Sequence, residues 1–125
     1  MGYTTIFAGG FKLDKPLTTE HRKLIDNITQ TRHDEGSFPS YYCQWKVDET
    51  GTRIIWDGGE KFYGYTEWIE IIKMFLELLG YQISGKVFWR GESHGDVGSI
   101  KIRNGNVKVW SAAANKELKS TILPF

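Results

Sequence analysis

A chain of 125 residues, 40% hydrophobic, 14% aromatic and 25% charged, is long enough for one packed core and too apolar for a disordered polymer. A net charge of +1, from 16 basic and 15 acidic residues, excludes a DNA-mimic surface and leaves only local clustering of cations as a route to nucleic acid. The single cysteine, Cys43, excludes an internal disulfide and a cysteine-based zinc site and points to a reducing compartment.

Tyr3 to Lys12 is rich in β-formers and predicts a strand, with Gly9-Gly10 read as a bulge or sharp bend. Pro16 closes it. Thr18 suits the N-cap of a helix running to about Thr31, with His21, Leu24, Ile25 and Ile28 at helical spacing. His33 to Ser40 carries too much Gly, Pro and Ser for a periodic element and predicts a loop. Tyr41 to Val47 then alternates, with Cys43, Trp45 and Val47 on one side and Tyr42, Gln44 and Lys46 on the other. The turn at Asp48 to Gly51 joins it to a partner strand over Thr52 to Asp57.

After Gly58-Gly59, Thr66 is the expected cap of a helix over Glu67 to Leu79. Trp68, Ile71, Ile72, Phe75, Leu78 and Leu79 form its apolar stripe, and Gly80 ends it. Glu70, Lys73 and Glu77 interrupt the apolar run from Ile69 to Leu79, so a membrane span is not expected, and the N-terminus lacks the pattern of an export signal. Next, Tyr81, Ile83, Val87 and Trp89 alternate with Gln82, Ser84, Lys86, Phe88 and Arg90. Gly98, Ile100 and Ile102 alternate with Ser99, Lys101 and Arg103. Asn104-Gly105 is a strong hairpin signal into a strand carrying Val107 and Val109. Residues 111–125 are expected to form a tail with one short helical turn.

The order β-α-β-β-α-β-β-β predicts a single α+β domain over 1–125. Its antiparallel sheet carries two helices on one face, as a ferredoxin-like core with an added C-terminal hairpin.

Three segments invite a chemical reading and have a simpler one. Ser93, His94 and Asp96 are neighbours on one turn and cannot take triad geometry, so a polar hairpin loop is preferred. His33-Asp34-Glu35 with His21 has no metal-ligand spacing; a solvated helix end is preferred. Gly58-Gly59-Glu60-Lys61 lacks the spacing of a phosphate loop. No catalytic residue, cofactor or metal is therefore expected.

Two surfaces remain. If the apolar sets face the helices, Lys46, Arg53, Lys86, Arg90, Lys101, Arg103 and Lys108 project from the opposite face with Tyr42, Phe88 and Trp110. Sheets of this kind stack single-stranded bases, an acidic protein partner suits the same cations, and a plain solvated face has the same composition. The other is the aromatic loop with Trp56, Glu60, Lys61, Tyr63 and Tyr65, to which Trp89 and Glu92 could be added. Core packing of Trp56, Phe62 and Trp89 is the competing account.

At Trp56-Asp57-Gly58-Gly59-Glu60-Lys61-Phe62-Tyr63, Glu67-Trp68 and Gly85-Lys86-Val87-Phe88-Trp89-Arg90-Gly91-Glu92, the chain resembles a family of small proteins encoded by bacteriophages and prophages. The segment Gly10 to Leu17 and the Asp96-Val97-Gly98 turn are similar too. The resemblance carries over no catalytic residue. It implies an accessory protein of the host-cell cytoplasm that binds a host protein, for instance as an inhibitor of a bacterial defence system. Single-stranded nucleic acid on the basic sheet face is the alternative. The oligomeric state is open, with a dimer conceivable through edge pairing of the final strand near Trp110.

Overall fold

A computed structural model describes residues 3–33, 37–112 and 116–118, the last three by their backbone alone. The chain forms β1 (Ile6–Leu13), α1 (Thr19–Thr29), β2 (Trp45–Val47), β3 (Arg53–Trp56), α2 (Tyr65–Leu78), β4 (Ile83–Arg90), β5 (Val97–Arg103), β6 (Asn106–Ser111) and β7 (Lys116–Leu118). The α+β class, the antiparallel sheet and the two helices are as expected. The strands make one sheet in the order β2-β3-β1-β4-β5-β6-β7.

Local signals set most of the boundaries. The Thr18 hydroxyl accepts from the His21 N–H at 3.1 Å and caps α1. In the β2–β3 turn, burial works to raise the Asp48 carboxyl. Hydrogen bonds from the Thr50 hydroxyl and from the Thr52, Arg53 and Gly51 N–H groups outweigh it and hold the group below the usual carboxylate range. Asn104 and Gly105 both take positive φ, 52° and 78°, so the β5–β6 hairpin turns in two residues.

The sheet's inner face makes the core. Phe11, Trp45, Ile54, Val87, Ile100 and Ile102 from the strands join Ile25 of α1 and Trp68, Ile69, Ile72 and Leu76 of α2 in one buried cluster. Period-two alternation sends their neighbours to the other side.

Several expectations need correction. The Gly9-Gly10 pair makes no bulge: β1 pairs residue for residue with β4 from Ile6↔Arg90 to Leu13↔Ile83, although Gly9 leaves the extended region at a φ of 98°. Helix α2 begins two residues early, and Gly64, not Thr66, is its N-cap; the Trp68 N–H donates to the Gly64 carbonyl at 2.8 Å. Its buried stripe is turned toward Ile69 and Leu76, which leaves Leu78 at 75% exposure, and Leu24 of α1 is likewise exposed. The expected helical turn after Ser111 is replaced, over Lys116–Leu118, by β7, which pairs with β6; the rest of the tail lies outside the described residues. At Val109 to Ser111 the strand that carries Trp110 is thus covered by β7 and is not a free edge there.

Candidate functional site

Strands β1 to β6 contain no Asp or Glu at all, yet they carry Lys12, Lys46, Arg53, Lys86, Arg90, Lys101, Arg103 and Lys108, half of the chain's 16 basic residues. A net charge of +1 thus conceals a cationic sheet over β1 to β6; the one acidic residue on a described strand is Glu117 of β7, paired with Trp110. Alternation puts these cations on the face away from the helices.

Strand register arranges them further. Lys86 lies opposite Lys101, and Lys101 lies opposite Lys108, so three ammonium-bearing residues form one row across β4, β5 and β6. In β1 the same row is occupied by Gly10, the partner of Lys86. A side chain at Gly10 would meet the Arg53 guanidinium at 2.7 Å, because Arg53 reaches over that bare backbone from β3. Arg53, Lys86, Lys101 and Lys108 are therefore a line of four cations running across the strands.

The next row contains Phe88, Ser99 and Trp110, again direct partners. It lies two residues along each strand, about 7 Å from the cations. Phe88 is 55% exposed and Trp110 43%, whereas Ser99 between them is only 6% exposed. These residues, with Lys86, Lys101, Lys108 and Val97, line an open trough of about 650 Å³. The Lys86 ammonium stands 5.0 Å from the Phe88 ring centre, which ties the cationic row to the aromatic one. On the inner face beneath, the Trp89 indole occupies the space that a side chain at Gly98 would take, so β5 can lie flat under the trough.

The other candidates on this face are less central. Arg90 is exposed beside Phe88, opposite Ile6 and Val97, and Arg103 is exposed at the β5–β6 turn. Lys46 is half-buried on β2, opposite Ile55, at the far side of the sheet. Tyr42 is exposed and precedes the sheet, since β2 starts only at Trp45; the Ser40 hydroxyl donates to both the Tyr42 and Tyr63 carbonyls and brings those two stretches of backbone together.

The aromatic loop does not form a single surface. Trp56 is half-buried and donates its indole N–H to Gln44, while Phe62 and Trp89 are buried, so core packing accounts for them. Tyr65 packs on Phe7, Phe62 and Trp89; burial, then the charges of Asp96 and Glu67, pushes its phenol up to about 12. Glu60 is exposed and its carbonyl accepts from Gln44 at 2.7 Å, and Lys61 is held at a φ of 56°. Glu92 accepts from the Thr4 N–H in a different loop. Only Tyr63 is left as a large exposed ring of that set.

The catalytic alternatives have structural roles. Asp96 accepts from the Tyr3 hydroxyl at 2.6 Å and from the Trp89 indole at 3.4 Å, and Tyr3 also accepts from the Ser93 N–H, so this turn anchors the chain's start. His21 bonds the Tyr81 hydroxyl, whereas His33 packs against Phe38 and Trp68 and bonds the Ile28 carbonyl. Asp34 and Glu35 lie outside the described residues, and among the described ones no group of three potential ligands could hold a metal. Burial pushes the Cys43 thiol up to about 12, which keeps it protonated and unreactive at neutral pH. No described helix is long and apolar enough to cross a membrane. No family model matches this chain, and neither a curated protein nor a solved structure matches it.

Proposed function

We propose that this protein binds single-stranded nucleic acid on its outer sheet face, as a small non-enzymatic accessory protein of phage type acting in the host cytoplasm. The observation that carries this reading is the register of Lys86, Lys101 and Lys108 beside Phe88 and Trp110. A row of like charges directly opposite one another is unfavourable in the free sheet and becomes favourable when a chain of phosphates lies along it. Exposed rings on the adjacent row offer bases the π-face that every base can use. The order β2-β3-β1-β4, with each helix linking two strands separated by a third, supports reading this part as a ferredoxin-like core extended by β5 to β7.

A labelled single-stranded oligonucleotide titrated with the protein tests the proposal. Four cations meeting three or four phosphates give a log K against log salt slope of about −2 to −3, so affinity falls about 20- to 50-fold between 50 and 200 mM salt. No binding at 50 mM salt would overturn it.

A second reading keeps the protein-binding expectation, with a host defence component as the partner. It is favoured by three exposed tyrosines, Tyr41, Tyr42 and Tyr63, on two stretches of backbone that the Ser40 hydroxyl joins through the Tyr42 and Tyr63 carbonyls, with the Arg32 guanidinium 4.3 Å over Tyr41. Under that reading, a protein captured from a bacterial lysate is lost with Tyr42→Ala and Tyr63→Ala but kept when the lysine row is changed.

A further inference from the structure

We infer that the trough between Phe88 and Trp110 is a notch for one nucleobase, whose sugar-phosphate chain runs across the strands along the row of four cations. The inference rests on the nucleic-acid reading above and adds a ligand unit, a direction and a stacking site to it.

The direction follows from two rows that run the same way. Arg53, Lys86, Lys101 and Lys108 lie in line perpendicular to the strands, and so do Phe88, Ser99 and Trp110. A polyanion placed along the first row meets a cation at every strand, spaced about 4.8 Å apart. Laid parallel to the strands, it would meet two cations at most, Lys86 and Arg90 on β4 or Lys101 and Arg103 on β5. The ligand's aromatic groups then fall to one side of its phosphates, about 7 Å away, which is where the second row stands.

The notch follows from side-chain size. Phe88 and Trp110 are separated by two strand spacings, about 10 Å, with only Ser99 between them. Stacked rings occupy about 3.4 Å each, so the gap admits a flat base against either ring. Ser99, almost fully covered by its neighbours, presents a hydroxyl at the floor that can both donate to and accept from a base edge. A longer residue at position 99 would fill the space. The cation held at the Phe88 ring by Lys86 places positive charge where the base meets its phosphate.

Two oligonucleotides with equal numbers of phosphates test this, one of ten thymidines and one whose central three positions are abasic. Both are titrated against the wild type, Phe88→Ala, Trp110→Ala and Ser99→Leu at 50 mM salt. The inference expects the abasic strand to bind at least about fivefold more weakly to the wild type. It expects each variant to lose at least about fivefold on the thymidine strand while keeping the salt slope. Both rings are exposed, so their truncation leaves the core intact, and urea unfolding establishes that all three variants, the covered Ser99→Leu included, are folded before titration. Equal affinity for the two strands, or variants that bind as the wild type does, would overturn the notch and leave the cationic row standing. Failure of both strands to bind the wild type would overturn the nucleic-acid reading as well.

Discussion

Trp45→Ala is expected to lower the unfolding free energy by about 3–5 kcal/mol, the largest effect of any single truncation in the sheet. Trp45 sits on the short strand β2 yet has no exposed surface. Its ring meets Phe7, Phe11 and Phe62 edge-on at 5.1, 5.7 and 5.3 Å between centres, and its indole N–H donates to the Tyr65 carbonyl at 2.9 Å. One side chain thus holds β2, the loop before α2 and the first turn of α2 against β1. A strand of three residues has few ladder bonds of its own, so its attachment depends on this packing. Trp45→Phe keeps most of the apolar area and is expected to cost clearly less. Trp110→Ala, on the exposed face, stays within about 0.5 kcal/mol of the wild type. Urea unfolding with an unchanged m-value measures all three. A loss below about 1 kcal/mol for Trp45→Ala would mean that β2 is not anchored in this way.

Lys101→Thr is expected to make the protein more stable and a poorer binder at once. Lys101 is the middle of its row and has a lysine directly opposite on both sides. Like charges in that position oppose pairing by roughly 0.2–1 kcal/mol each, and Thr is a good strand residue, so removing the ammonium relieves two unfavourable pairs. The gain should shrink as salt rises past about 0.1 M, where screening acts over about 10 Å. Lys46→Thr is the control, because Lys46 faces Ile55 instead of a cation; it should show no such salt-dependent gain. Nucleic-acid affinity moves the opposite way, and the salt slope falls by about one unit. A variant that loses stability at low salt would indicate that the row is not strained by its own charge.

How far the sequence disclosed this surface depends on which rule each residue obeys. Period-two alternation alone put Lys86, Phe88, Lys101, Lys108 and Trp110 on the outer face, and they are there. The two-residue turn at Asn104-Gly105 also sets Arg103 opposite Asn106, from which Lys101 opposite Lys108 follows by counting. Lys86 opposite Lys101 does not follow, because the longer connection from Gly91 to Asp96 leaves the register open until its backbone is known. Arg53 over Gly10 was beyond reach, since β1 and β3 meet only through the fold. At Tyr42 the alternation runs ahead of the strand: Tyr42 is exposed and Cys43 buried as the pattern requires, although β2 starts only at Trp45.

Helix faces were less legible than strand faces. In α2 so many residues are apolar that stripes through Ile71 and Phe75 or through Ile69 and Leu76 fit equally well, and packing chose the second. Gly64 displaced Thr66 as the cap because a glycine at a φ of 69° starts the helix where the loop arrives. Lys116–Leu118 has weak strand propensity and becomes β7 through pairing with β6, a case of long-range contacts overriding local preference.

The most direct test reverses the row itself. A labelled single-stranded oligonucleotide is titrated at 50 mM salt with the wild type and with the combined variant Lys86→Glu, Lys101→Glu and Lys108→Glu, after unfolding curves establish that both are folded. The account predicts saturable binding by the wild type and none by the variant at the same concentrations. Equal binding by the two proteins would contradict it.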